Sequence, residues 1–260
     1  MRLKSLNIIK HTMKKKNLSL NKSIAEREKS SLVENVFSSV ASHYDLMNDL
    51  MSIGRHRSWK KAMIKWLSPQ PGTRILDVGG GTGDIALGVL KQAGNPGPEV
   101  IVADINPNML EVGQNRALDR GVLEEISWVV ADAESLPFPN KSVDIYVTAF
   151  CLRNVSRLDV ALSEAFRVLK PGGRFMCLEF SRIQLPIFSF FYDAWSFKAI
   201  PRIGAYVAND REAYEYLVKS IRQFPDQETF QEIIEAANFS YVRTKNLSGG
   251  IVAIHSGWRS

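Results

Sequence analysis

From residue 74 onward, apolar residues come in short, nearly unbroken runs separated by stretches with helical spacing. The runs 74–78, 100–105, 127–131, 143–149 and 174–180 have strand length and hardly alternate. That is the pattern of strands buried on both faces of a mainly parallel sheet. Between them, 85–92, 109–119 and 158–169 read as helices, and the alternation predicts a doubly wound α/β sheet with right-handed crossovers. Helices are predicted again at 211–222 and 227–237. The runs 241–247 and 251–255 follow, joined at Ser248-Gly249-Gly250 as a hairpin that closes the sheet edge. The expected fold has seven strands, mainly parallel, with this antiparallel C-terminal hairpin.

Ahead of the sheet, Ala25, Lys29, Leu32, Val33, Val36 and Phe37 recur at three- and four-residue spacing and predict a helix over 25–40. A second helical stretch runs to about residue 66, where Ser68-Pro69-Gln70-Pro71-Gly72 breaks it. The expected division is a basic arm at 1–25, a helical cover at 26–67, and a domain at 68–260 with a substrate-covering insertion at about 181–225.

Charge changes this picture only at one end. The chain carries 33 bases and 27 acids, but Arg2, Lys4, Lys10, Lys14, Lys15, Lys16 and Lys22 stand in the first 25 residues with no acid among them. The remainder holds 26 bases against 27 acids, a balance unlike that of a nucleic-acid-binding body. The arm fits a disordered leader or a start at Met13, attraction to an anionic membrane surface, or a mitochondrial presequence, although it favours Lys over Arg. A membrane span needs about 20 apolar residues. The longest apolar candidate, 183–192, contains Gln184 and Pro186 and stops at Asp193. Cys151 and Cys177 sit in apolar runs and read as reduced core thiols. The four histidines show no metal-binding spacing.

The chemistry concentrates in Leu76-Asp77-Val78-Gly79-Gly80-Gly81-Thr82-Gly83-Asp84, where the first strand gives way to a helix. Glycines there let the backbone take φ > 0 and approach a ligand. Gly81-x-Gly83-x-x-Ala86 satisfies the dinucleotide fingerprint, so the glycines alone do not choose the ligand. Asp77 does, because a carboxylate two residues before the loop repels a pyrophosphate and favours a cation. S-adenosylmethionine offers an ammonium and a sulfonium, and its carboxylate suits the amides of a helix N-terminus. The plainer alternative is an Asp that bonds local backbone. Asp104 ends the second strand, where an acid accepts hydrogen bonds from ribose hydroxyls; taken alone it reads equally well as a helix cap. Ile105 and Met109 join it as cofactor-site candidates. Asp132-Ala133 follows the third strand and suits an adenine, its alternative being a strand-terminating turn.

Two longer motifs stand intact, Tyr44-Asp45-Leu46-Met47-Asn48-Asp49-Leu50-Met51-Ser52-Ile53-Gly54-Arg55-His56-Arg57-Ser58-Trp59 and Arg167-Val168-Leu169-Lys170-Pro171-Gly172-Gly173-Arg174-Phe175-Met176-Cys177-Leu178-Glu179-Phe180-Ser181. They resemble the signatures of the quinone-biosynthesis C-methyltransferases. That family methylates the ring of 2-polyprenyl-6-methoxy-1,4-benzoquinol on the way to ubiquinone and, in some bacteria, demethylmenaquinol. The resemblance runs from about residue 36 to 255 and includes Leu152-Arg153-Asn154-Val155, Pro201-Arg202-Ile203-Gly204, Val207-Ala208-Asn209-Asp210 and Phe224-Pro225-Asp226-Gln227. It implies a Rossmann-like fold and contacts to S-adenosylmethionine from Thr82, Asp104 and Asp132-Ala133. There are two departures. The family often has Ser-Phe-Gly where this chain has Ala149-Phe150-Cys151, which removes a hydroxyl at site residue 149 and makes the strand end bulkier. Its frequent Ala before the glycine run is Gly79 here, a change expected to be harmless.

Methyl transfer needs an in-line nucleophile roughly 3–3.5 Å from the methyl group. A quinol ring carbon becomes a good nucleophile once its phenolic proton leaves, so the site needs a base or a cation beside the phenolate. Arg153 is the first candidate, since it follows the fourth strand on the C-terminal rim and the resemblance also implies a catalytic role. With a pKa above roughly 12 it stabilises the phenolate or orients a water; the alternative is an ion pair with a nearby acid. Tyr44, Asn154 and His56 are candidates to complete the pocket, Tyr44 and His56 each having an ordinary structural reading as well. Phe180, Phe188, Phe190, Phe191, Tyr192, Trp195 and Phe197 offer a groove for a polyprenyl tail, a bilayer contact, an oligomer contact or plain core packing.

The expected partners are therefore a prenylated quinol, a membrane surface, other quinone-biosynthesis enzymes and a second copy of the chain. The expected location is a bacterial cytoplasm, peripheral to the inner membrane, or else a mitochondrial matrix. A non-catalytic scaffold subunit, an NAD-dependent oxidoreductase, a nucleic-acid methyltransferase and a methyltransferase for another acceptor are the alternatives. The first expects a damaged loop or a lost Arg153, Asp77 opposes the second, the charge balance opposes the third, and the whole-chain signatures oppose the fourth.

Overall fold

A computed structural model describes residues 54–94, 96–122, 124–182 and 211–260, together with Val33, Asn48, Asp49 and Ser52. The expected arm and most of the 25–40 helix and the 181–225 insertion lie outside these residues. Strands β1 (Arg74–Val78), β2 (Glu99–Asp104), β3 (Ile126–Val130), β4 (Val143–Ala149), β5 (Leu169–Phe180), β6 (Ser240–Leu247) and β7 (Val252–Trp258) form one sheet in the order β3-β2-β1-β4-β5-β7-β6. The first five pair in parallel, while β7 pairs antiparallel with both β5 and β6. This is the doubly wound, mainly parallel sheet that the apolar runs predicted.

Helices α1 (His56–Leu67), α2 (Asp84–Ala93) and α3 (Pro107–Leu118), with α5 (Arg211–Gln223), cover one face; α4 (Leu158–Val168) and α6 (Gln227–Ala236) cover the other. Helix α1 buries Trp59, Met63, Ile64 and Leu67 at three- and four-residue spacing. It stops at Ser68, which takes φ 52 and returns its N–H to Ile64 O ahead of Pro69. Side-chain caps define two other starts. Asn106 accepts from the N–H groups of Asn108 and Met109 at the head of α3, and Asp226 accepts from Thr229 N at the head of α6.

Two boundaries differ from expectation by more than two residues. Strand β5 begins at Leu169 rather than 174, because Leu169 pairs with Val143 and the Lys170–Gly173 stretch is carried as a bulge in the ladder. Strand β7 continues through Ser256-Gly257 to Trp258, since Arg174 to Phe180 of β5 pair with it along the whole length. The last strand thus lies inside the sheet, buried from Val252 to Gly257, and the alternating, partly charged β6 takes the edge.

Candidate active site

The glycine loop leaves β1 at Val78 and enters α2 at Asp84. Gly79 and Gly80 both donate to Ala103 O of β2, at 2.7 and 3.3 Å, and Gly83 donates to Gly80 O at 2.9 Å. Gly79, Gly81 and Gly83 take φ of 65°, 51° and 74°, the left-handed region open to glycine. At Gly83 space is also lacking, for an added Cβ would lie 2.7 Å from the Trp128 ring.

Between β1 and β4 the sheet order reverses, the switch point at which ligands of open α/β sheets bind. A cavity opens there, lined by Gly79, Gly81, Asp104, Ile105, Met109, Asp132, Ala133, Phe150, Cys151 and Asn154, together with Val33. A smaller cavity adjoins it at Gly79 and is lined by Asp77, Thr82, Ala149 and Lys60. Eight of the candidate site residues therefore meet in the first space and three more in the second. Gly83 lines neither, nor does Arg153 or His56, and Tyr44 lies outside the described residues.

The strand-end acids are in three different states. Asp104 accepts from Gly81 N and Asn106 N, each at 2.9 Å, while burial pushes its pKa up to about 6. Asp132 lies in the open and accepts from Glu134 N at 2.8 Å, so one of its oxygens serves a turn. Asp77 is fully buried, and neither carboxylate oxygen has a hydrogen-bond partner. Burial pushes Asp77 up to about 7, opposed by Lys60 and the nearby backbone N–H of Ala86 and reinforced by Asp104 and Asp84. A buried carboxylate beside the loop, without a geometric hydrogen bond to either oxygen, suits a cationic donor.

Behind the loop, Lys60 of α1 and Arg116 of α3 converge on Asp84, at 2.7 and 2.9 Å, and Arg116 also donates to Thr82 Oγ1 at 3.3 Å. Burial works to raise the Asp84 carboxyl, but Lys60 and Arg116 hold it below the ordinary range. The loop and the start of α2 are thus tied to two other helices by charge.

Arg153 occupies the 3-10 turn Leu152–Asn154 that follows β4. Its Nη1 donates to Phe150 O at 2.5 Å and to both oxygens of the buried Glu179 at 3.1 and 3.3 Å. The rings of Phe150 and Phe180 stand 5.9 and 5.4 Å from the guanidinium carbon. Burial raises the Glu179 carboxyl and Arg153 opposes that rise. The ion pair anticipated as the alternative is present, and Arg153 Nε is left without a partner. Asn154 faces the cavity, and its Oδ1 accepts from Tyr216 of α5 at 3.4 Å. His56 is buried against Asp49, 3.0 Å from Nε2. Burial, Lys60 and Arg57 lower its pKa, a setting for a packed, neutral ring.

Glu179, Lys60, Arg116, Tyr216 and Cys151 were not selected from the sequence. Glu179 left a signal, as the one charge in the apolar run 175–180. Lys60, Arg116 and Tyr216 depend on which helices meet, and Cys151 on the pairing of β1 with β4.

The family model for the ubiE/COQ5 methyltransferase family matches residues 24–259. The chain is 52% identical over 240 residues, 92% of its length and 89% of the relative's, to the ubiquinone/menaquinone biosynthesis C-methyltransferase UbiE of Brucella abortus (strain S19). Against the enzyme of the same description from Brucella anthropi it is 53% identical, covering 92% and 91%. Among solved structures, a chain of the complex between the Haloferax volcanii Trm112 activator and a methyltransferase superposes with a TM-score of 0.63 at 16% identity, covering 87% and 97%. An Aquifex aeolicus SAM-dependent methyltransferase gives 0.55 at 17%, covering 77% and 89%. Haemonchus contortus phosphoethanolamine N-methyltransferase 2, solved with S-adenosyl-L-methionine, gives 0.56 at 17%, covering 77% and 52%.

Proposed function

The chain belongs to the ubiE/COQ5 methyltransferase family, and from that premise we propose that it is the S-adenosylmethionine-dependent C-methyltransferase of ubiquinone and menaquinone biosynthesis, acting on the ring of 2-polyprenyl-6-methoxy-1,4-benzoquinol and on demethylmenaquinol. The observation that carries the assignment of the donor is Asp77, buried, with both oxygens unpaired, at the mouth of a glycine loop. A pyrophosphate would be repelled there, and an ammonium would complete the carboxylate.

The residues present fit S-adenosylmethionine, which supplies an electrophilic methyl group when bound. Asp77 would hold its ammonium, Gly79, Gly81, Thr82 and Gly83 would frame its methionine portion, and Asp104 would take the ribose hydroxyls. Ile105, Met109 and Ala133 offer apolar walls for a flat ring, with Asp132 at its polar edge. Ala149 closes the smaller cavity without a hydroxyl.

On the acceptor side, Arg153 and Asn154 follow β4 at the switch point. Arg153 is held between two aromatic faces and Glu179, with Nε unspent. Its charge would favour a phenolate over a phenol and orient a water that removes the proton. Asn154, aligned by Tyr216, would position the ring hydroxyl, and Tyr44 is assigned a hydroxyl relay on the N-terminal cover. His56 is assigned to support of that cover, since it lines neither cavity. The aromatic segment after Phe180 is assigned to the polyprenyl tail. Among the described residues no helix is long and apolar enough to cross a membrane. The prenylated acceptor and the basic residues of 1–25 support placement at the cytoplasmic side of the bacterial inner membrane.

Calorimetric titration with S-adenosylhomocysteine tests the reading. The expected result is binding by the wild type, no heat with NADH, and a loss of about 1.5–3 kcal/mol, roughly ten- to hundredfold, for Asp104→Ala. Heat with NADH and none with S-adenosylhomocysteine would overturn it.

A further inference from the structure

Gly79 and Cys151 face each other across the switch point, one after β1 and the other after β4. Both line the main cavity. Gly79 sits at φ 65°, and a Cβ built on it would lie 2.2 Å from Cys151 Sγ and 2.5 Å from Cys151 Cβ. The thiol therefore stands in the volume that any side chain at residue 79 would need. These are also two positions at which the sequence departs from the pattern it resembles, Ala and Gly there becoming Gly and Cys here. Gly79, having no side chain, leaves the room that the Cys151 side chain occupies.

Resting on the reading of this cavity as the methyl-donor site, we propose that Cys151 is a positioning residue whose side chain packs on Gly79 and fixes the glycine loop at the donor end of the cavity. Three backbone hydrogen bonds fix the chain on both sides of this contact. Phe150 N donates to Leu178 O at 2.8 Å, Asn154 N donates to Cys151 O at 2.8 Å, and Gly79 N is held by Ala103 O. The contribution is volume rather than charge, since burial, Asp104 and Glu179 push the thiol up to about 12. Each half of the pair is accordingly intolerant of growth in the other.

The test is a double-mutant cycle on the full chain. It uses Gly79→Ala, Cys151→Gly and the pair together, with S-adenosylhomocysteine affinity by calorimetry, melting temperature, and the quinol KM. Gly79→Ala is expected to weaken S-adenosylhomocysteine at least tenfold or to fail to fold. Adding Cys151→Gly to it is expected to recover at least fivefold in affinity, or to restore a folded binding protein. In the wild-type background Cys151→Gly is expected to weaken S-adenosylhomocysteine at least threefold, with a smaller change in the quinol KM, and a Cys151→Gly protein that binds like wild type would show that the thiol positions nothing. A Gly79→Ala protein that binds like wild type would overturn the proposal, as would a double variant no better than that single one, or losses confined to the quinol KM. Wild-type binding of S-adenosylhomocysteine reports separately on the donor-site reading.

Discussion

At the scale of single residues, the fold buries one carboxylate beside the glycine loop. Asp77 is pushed up to about 7 by burial, so the unliganded protein holds a proton there over much of the acid range. A cation placed against the carboxylate lowers that pKa, and binding must expel the proton wherever the free site is protonated. The association constant for S-adenosylhomocysteine should therefore rise with pH up to about 7 and flatten above it. At pH 6 the heat of binding should scale with the ionisation enthalpy of the buffer. Asp77→Asn should reduce the buffer dependence to what Asp104, itself raised to about 6, contributes, and should weaken binding; titrations in two buffers at two pH values check both points.

At the scale of elements, the decisive joint is that between β5 and the turn after β4. Glu179 and Arg153 are both buried, and one guanidinium nitrogen, Nη1, donates to both carboxylate oxygens. Removing one partner of such a pair costs about 3–5 kcal/mol, whereas replacing both by apolar residues of similar volume is often neutral. Glu179→Ala should lose stability on that scale in urea unfolding. Arg153→Met with Glu179→Leu should stay within about 1 kcal/mol of wild type and yet lose at least about a hundredfold in kcat, because the cation beside the phenolate has gone. A stable but fully active double variant would place the pair in the scaffold alone. The same joint shows what the sequence withheld. Arg153 was legible from its place after the fourth strand, but that its guanidinium turns toward Glu179, and not into the cavity lining, follows from the register of β4 against β5.

At the scale of the molecule, the parallel body and the antiparallel edge are tied by Arg259. Its Nη1 donates to Phe166 O, to Arg167 O at 3.0 Å and to Leu169 O at 2.7 Å. The guanidinium stacks 4.5 Å from the Phe166 ring, and the backbone exchanges bonds with Gly172 and Gly173. These carbonyls are the end of α4 and the start of β5, so one side chain closes a helix terminus and a sheet bulge together. Arg259→Ala should destabilise the whole domain by about 2–4 kcal/mol. The loss should appear as one cooperative shift in thermal unfolding, without separate melting of the C-terminal strands.

The sequence by itself determined the alternation of elements, the position and ligand preference of the glycine loop, and the order of the strand-end acids. Each of these is a local pattern, since apolar runs, glycine spacing and a charge at a strand end are written within ten or so consecutive residues. Tertiary structure decided the rest. It chose which hairpin strand entered the sheet, because β7 can be buried on both faces while β6 carries Arg243 and Lys245. It brought Lys60 and Arg116 onto Asp84 from two other helices. It paired Arg153 with Glu179, and it set Cys151 against Gly79 across 72 residues of chain. Such contacts depend on sheet register and helix packing, which no local window of sequence contains.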